Sequence, residues 1–300
     1  MTDPVVVCLG VATIDVIALV DSIPGHDERT QAHEVVSAGG GPAATAAVAL
    51  ARLGIPVAFC GVVGDDDAGV EVRRGLEAEG VDTKWLRTDR AARTVQSLIL
   101  VERGSGARTI VTSGSALPEP ADIPDVGEWL HADQAGWPAA RLAARGSHRR
   151  LSLDDGNRVP NLHLPMVDLY VPTASVITER FGQPLATAMT AAHGAGASAV
   201  VATAGSSGCY VLEGAGLIHL PAAQAEVVST LGAGDVFHGA LLAGLINGAS
   251  TVEAAAFAVL VAALSTRALD GRSAIPRAGD VPAPGPRTTT NERKPQHDRA

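Results

Sequence analysis

Aromatic residues make up only 3% of this 300-residue chain, so Ala, Val and Leu must supply the core of a sequence that is 46% hydrophobic. Cysteine is scarcer still. Cys8, Cys60 and Cys209 are odd in number, lack Cys-x-x-Cys spacing and sit in apolar settings. That pattern excludes a disulfide framework and reads as buried free thiols in a reducing compartment. Positive charge is in deficit, 23 Lys and Arg against 32 Asp and Glu, a net of −9. Nucleic-acid binding rests mostly on phosphate neutralisation, so no nucleic-acid partner is expected. A small anion is not excluded, because a site can be locally positive in an acidic protein. Long apolar runs are missing as well: Val252 to Leu264 is nearly apolar but shorter than the roughly 18–20 residues of a membrane helix. No basic segment precedes the apolar run at Val5, so no secretory leader is expected. The expectation is a soluble, cytoplasmic protein without a membrane partner.

What the sequence does contain is alternation. Val5 to Gly10 is short, β-branched and closed by Gly, as a buried parallel strand is. Ala43 to Leu53 is alanine-rich, with Pro42 before it and Gly54 after it, which predicts a helix. A strand over Val57 to Val63 and a helix from about Ala68 to Glu79 follow, the latter capped by the run Asp65-Asp66-Asp67. Further helices are predicted at Pro184–Ala192, Val236–Leu245 and Val252–Leu264, with strands at Leu151–Leu153, Val167–Val171 and Ala199–Ala202, and a hairpin at Cys209–Leu220. Strands alternating with helices imply an α/β fold whose mostly parallel central sheet is covered on both faces. Residues 12–37 and 94–112 read instead as antiparallel strands, and a small β lid is their economical home. Residues 1–281 form one domain on this reading, 117–171 resist assignment, and 282–300 read as a disordered tail.

The sharpest feature is Thr230-Leu231-Gly232-Ala233-Gly234-Asp235, which runs into Val236-Phe237-His238-Gly239-Ala240. Small residues lead directly into a helix that begins with a carboxylate. Unpaired N–H groups and the helix dipole make such a start an anion cradle. Asp235 beside it can take a proton from a hydroxyl that attacks a phosphoryl group. The alternative is that Asp235 only caps the helix. His238 on the same helix either faces that site or packs, and the scattered His residues show no zinc-ligand spacing.

Gly-Ala-Gly-Asp followed by Phe-x-Gly-Ala resembles the C-terminal signature of the ribokinase-like (PfkB) sugar kinases. Other segments agree in order: Gly10 to Asp15, Gly40-Gly41 with Ala51-Arg52-Leu53-Gly54, Val63 to Asp66, and Thr203-Ala204-Gly205-Ser206-Ser207-Gly208. The resemblance spans about residues 5–276 and implies the ribokinase-like fold with ATP and Mg²⁺ as cofactors and a small sugar as the other partner. It implies Asp235 as catalytic base, Gly232, Ala233 and Gly234 as the anion hole, and Thr203, Gly205 and Gly208 as nucleotide-binding. Asp15, Gly40, Gly41 and Thr45 fall to the sugar, and a homodimer through the lid is a further implication. No metal-binding residue is assigned.

Within that family, Gly39 to Val48, Asp65-Asp66-Asp67, Gln96-Ser97 and Phe237-His238-Gly239 look like the sulfofructose kinase branch, which phosphorylates the primary hydroxyl of 6-deoxy-6-sulfofructose. A sulfonate needs fixed positive donors, ideally Arg. Arg29 is the candidate, with Arg108 behind it. Thr45 replaces the family's usual Asn, a change that branch shares. Thr173 and Val176 stand where the family carries Asn-x-x-Glu, and Ser229-Thr230-Leu231 where it carries Asp-Thr-Thr. A kinase for fructose phosphate, another ketose or a nucleoside is one alternative, and a catalytically weak sugar-sensing protein is another.

Overall fold

The computed structural model describes residues 3–114, 116–214 and 216–285. The chain opens with strand β1 (Val6–Leu9), then β2 (Thr13–Val20), β3 (Glu34–Gly40) and helix α1 (Pro42–Arg52). β4 (Val57–Gly64), α2 (Asp67–Ala78), β5 (Leu86–Asp89), β6 (Val95–Glu102) and β7 (Arg108–Thr112) follow. The middle holds β8 (Trp129–Ala132), α3 (Trp137–Ala143), β9 (Arg150–Asp155), β10 (Leu169–Pro172), α4 (Ala174–Phe181) and α5 (Leu185–Gly194). The last elements are β11 (Ala199–Thr203), β12 (Cys209–Glu213), β13 (Gly216–Leu220), α6 (Ala233–Ile246) and α7 (Thr251–Ser265).

Nine strands form the central sheet in the order β13-β12-β11-β10-β9-β8-β1-β4-β5, parallel from β11 across to β5, with the β12–β13 hairpin antiparallel at one edge. The period of two along β1 sorts its side chains to two cores. Val6 and Cys8 pack under α1, α6 and α7, while Val7 and Leu9 pack toward α3, α4 and α5. All four are fully buried, and each such Val or Leu is worth roughly 1.5–3 kcal/mol. The shortage of aromatics is met by close helix approach. A Cβ on Gly239 of α6 would lie 2.6 Å from the Ala46 carbonyl of α1, so only glycine lets these helices touch. Cys8, Cys60 and Cys209 are buried free thiols, as expected.

The second sheet, β3-β2-β6-β7, consists of two antiparallel hairpins joined by a parallel β2–β6 ladder. It forms the lid expected from residues 12–37 and 94–112. Asp66 caps α2, accepting from Gly69 N–H at 2.9 Å. The segment 117–171, which resists assignment from sequence, holds β8, α3, β9 and β10. Of the expected tail, residues 282–285 are described, with Pro284 half-buried, and the remainder lies outside the described residues. Among the described residues no helix is long and apolar enough to cross a membrane.

Candidate active site

Ligands of parallel sheets bind beyond the carboxyl ends of the strands, and the main cavity lies there. Its volume is about 510 Å³, the size of a small-molecule site. Val11 after β1, Gln134 after β8, Asp154 at the end of β9, Thr173 after β10 and Thr203 at the end of β11 line its floor. The lid supplies the opposite wall through Asp15, Gly40, Ser97 and Arg108, and the start of α6 closes one end.

The turn into α6 is set by Gly232, the N-cap residue, whose φ of 72° is left-handed and whose Cβ would meet Gly271 at 3.0 Å. No side chain caps this helix, so its free N–H groups and dipole remain available to an anion. Gly232 and Gly234 line the cavity, and nothing lies within 4 Å of where a Gly234 Cβ would stand. Ala233 does not line it; its N–H leans toward the Thr230 carbonyl at 3.4 Å. Asp235, in the first turn, faces the cavity and caps nothing.

Burial, followed by the negative charge of Asp154, raises the Asp235 carboxyl to about 7, with His238 and Arg108 pulling the other way. His238 faces the site and is buried, with Nε2 3.2 Å from Asp154 Oδ1. Burial opposes both charges, but each partner stabilises the other: His238 is raised and Asp154 lowered, which describes an ion pair. Behind it, burial holds His131 neutral, its pKa down at about 3. Asp133, also buried, accepts the N–H groups of Val11, Ala43, Ala135 and Gly136 at 2.8–3.2 Å, tying β1, α1 and α3 together at the cavity floor.

At the far end, Asp15 Oδ1 accepts the Thr13 hydroxyl at 2.6 Å, and Gly40 lets the carboxylate sit where it does. A Cβ on Gly40 would fall 1.9 Å from Asp15 Oδ2. Gly41 has φ of 92° and precedes α1, from which Thr45 faces the same space. The structure thus brings Asp15, Gly40, Gly41, Thr45, Thr203, Gly232, Gly234 and Asp235 to one cavity. Gly205 and Gly208 stand behind Thr203 in a tight turn, with φ of 55° and 89°. Arg29 is the departure: it is exposed on the β2–β3 loop and does not line this cavity, because that loop swings into solvent. Arg108 does line it, donating to Thr230 Oγ1 at 3.0 Å. The Asn-x-x-Glu position is spent on a helix cap, Thr173 Oγ1 accepting from Val176 N–H at 3.2 Å.

Asp133, Gln134, Asp154 and Arg272 escape sequence reasoning. Asp154 sits in the middle segment that lacks a readable pattern. Arg272 follows α7 and donates to Thr45 Oγ1 at 3.1 Å and to the Gly40 carbonyl at 2.6 Å; the local sequence holds no signal for contacts so distant along the chain.

A fructokinase of Klebsiella pneumoniae is 28% identical over 88% of this chain and 95% of its own. An aminoimidazole riboside kinase of Salmonella typhimurium is 29% identical over 68% of this chain and 72% of its own. The structure of Arabidopsis thaliana ribokinase complexed with ribose and ATP superposes with a TM-score of 0.79 at 23% identity, covering 93% of this chain and 97% of that one. The sequence profile of the pfkB family carbohydrate kinases matches residues 3–133 and 143–278, and with the Asp235 carboxylate beside an open helix start, across a cavity from Asp15 and Ser97, this chain belongs to that family of ATP-dependent phosphotransferases.

Proposed function

We propose that this kinase phosphorylates the primary hydroxyl of 6-deoxy-6-sulfofructose, with Asp235 as the base. The observation that carries the reading is Asp235 itself, which faces the cavity between the helix-start amides and the lid wall that holds Asp15. Sequence features of the sulfofructose branch, Thr45 in place of Asn and Phe237-His238-Gly239, support the substrate. ATP with Mg²⁺ supplies the phosphoryl group when bound. The Asp154 and Asp235 carboxylates line the same cavity as Gly232 and Gly234, so the chain fits an ion carried in on the nucleotide, whose shell phosphates and water commonly complete. Gly232 and Gly234 amides would hold the phosphates, with Ala233 turned aside, and Thr203, Gly205 and Gly208 would shape the nucleotide end. Asp15, Gly40, Gly41 and Thr45 orient the sugar so that its hydroxyl faces Asp235. Asp235 would take the hydroxyl proton as the sugar oxygen bonds to the γ-phosphorus of ATP and the bond from that phosphorus to ADP breaks, and the amides would stabilise the charge developing on the transferred group.

The fructokinase and riboside kinase relatives favour a second substrate class, a ketose or nucleoside without the sulfonate. ATP consumption by purified protein against a panel of ketoses, ketose phosphates, ribosides and sulfofructose separates the two. Highest kcat/KM for sulfofructose supports the first reading; preference for an uncharged ketose or a riboside overturns it. Binding of sugar without ATP consumption by any of them supports the sensor alternative.

A base must be unprotonated to act, so with the Asp235 carboxyl raised to about 7 kcat/KM is expected to rise as pH increases through about 7 and to fall away below it. The free enzyme's profile reports this group. A profile flat down to pH 5 would show that another group accepts the proton.

The outer face of the lid supports a homodimer. Val35, Leu98 and Val111 are 61%, 63% and 65% exposed, and Leu98 pairs directly with Val111. If two lids pair through this face, Leu98→Asp converts the dimer to a monomer in light scattering, whereas an unchanged dimer places the interface elsewhere.

A further inference from the structure

The cation nearest the proposed sugar-binding residues is one that neither the motifs nor the resemblance assigns. Arg272 lies in the segment after α7, more than two hundred residues from the wall it touches. Its Nε donates to Thr45 Oγ1 at 3.1 Å and its Nη2 to the Gly40 carbonyl at 2.6 Å. Its backbone is fixed from both sides: its N–H donates to Asp270 Oδ1 at 2.8 Å, and Arg52 Nη1 donates to its carbonyl at 2.8 Å. Gly39 is what admits the guanidinium, since a Cβ there would lie 2.5 Å from Nη1.

We propose that Arg272 is a positioning residue that fixes the polarity of the sugar-binding wall. A hydroxyl is one donor with two lone pairs. With the Arg272 N–H on its oxygen, and no acceptor for its proton among the described residues, Thr45 is held as a donor toward the cavity. Asp15, on the next strand, is an acceptor, and the guanidinium charge lies close enough to interact with it. The wall therefore reads a sugar by one hydroxyl that donates to Asp15 and one oxygen that accepts from Thr45. An oxygen that can only accept, such as a keto, ring or anionic oxygen, suits the Thr45 end best. Gly39 and Gly40 then have separate reasons for lacking a side chain: Gly39 makes room for Arg272, and Gly40 makes room for Asp15.

This inference rests on the sugar-kinase reading, so steady-state kinetics with the best sugar of the panel begin with the wild type. A wild type inert toward every sugar overturns both. With an active wild type, Arg272→Met and Thr45→Val are each expected to raise the sugar KM roughly 10- to 100-fold, the worth of a hydrogen bond involving a charged group, while kcat and the KM for ATP change less than about threefold. Because the two residues act as one unit, the double variant should be no worse than the poorer single one. Thr45→Ser should recover most of what Thr45→Val loses. Gly39→Ala, which displaces the guanidinium while leaving Arg272 in the sequence, should reproduce the Arg272→Met effect and serves as the second arm if that variant does not fold. Multiplying effects in the double variant, or a fall in kcat with the sugar KM unchanged, would overturn the role of Arg272 alone.

Discussion

Asp235→Asn is expected to lower turnover roughly 10²–10⁴-fold, the usual contribution of a positioned general base, while the dissociation constant for sugar stays within about threefold. The two halves of that result follow from separate parts of the cavity. Asn keeps the size of the side chain and the helix start, and the groups assigned to the sugar, Asp15 and Thr45, lie on β2 and α1 rather than α6. What Asn cannot do is accept a proton as a carboxylate does. The surroundings sharpen the effect. Burial and the charge of Asp154 hold Asp235 near 7, so it is a stronger base than an exposed carboxylate and close to the working pH. The variant should also lose the rise of kcat/KM through pH 7. Quench-flow kinetics with isothermal calorimetry would measure both halves, and near-normal turnover would remove Asp235 from the chemistry.

Gly40→Ala is the counterpart at the other end. Its Cβ would stand 1.9 Å from Asp15 Oδ2 and 2.6 Å from Thr13 Oγ1, so the carboxylate must leave its place. Losing a hydrogen bond to a charged group costs about 1.5–3 kcal/mol, which is roughly a 10- to 100-fold rise in the sugar KM. The base is untouched, so kcat at saturating sugar should hold within about threefold. If kcat fell instead and KM held, Asp15 would belong to catalysis rather than to sugar binding.

Asp235 and Gly40 are legible in the sequence because each sits in a compact motif: small residues ahead of Asp235, and consecutive glycines ahead of an alanine-rich helix. The same holds for β1 and α1, where β-branched residues or a Pro–Gly frame mark the element. β8 is not legible. It is four residues long, and His131 sits inside it, buried through a hydrogen bond to Ser152 at 3.1 Å that only the folded sheet provides. α3 is seven residues and carries no side-chain cap. Asp154 is hidden for a related reason, since its importance comes from His238, which approaches from α6. Arg272 pairs with Thr45 across 227 residues, and no local pattern encodes that. Arg29 shows the opposite case. Residue type suggests an anion reader, but the loop that carries it turns into solvent, and position decides.

Composition leaves open how a chain of net charge −9 would handle anions. On the proposed reading the positive sources would be the backbone amides at the start of α6 and Arg108, which line the cavity, local features that net charge does not register. The most direct test of the account is to incubate the protein with ATP, Mg²⁺ and the best sugar of the panel and to locate the transferred phosphate by ³¹P–¹H NMR. The account predicts ADP and a phosphate ester on the primary hydroxyl, formed by the wild type and roughly 10²–10⁴-fold more slowly by Asp235→Asn. ADP without a sugar ester, or an ester on a secondary hydroxyl, would contradict it.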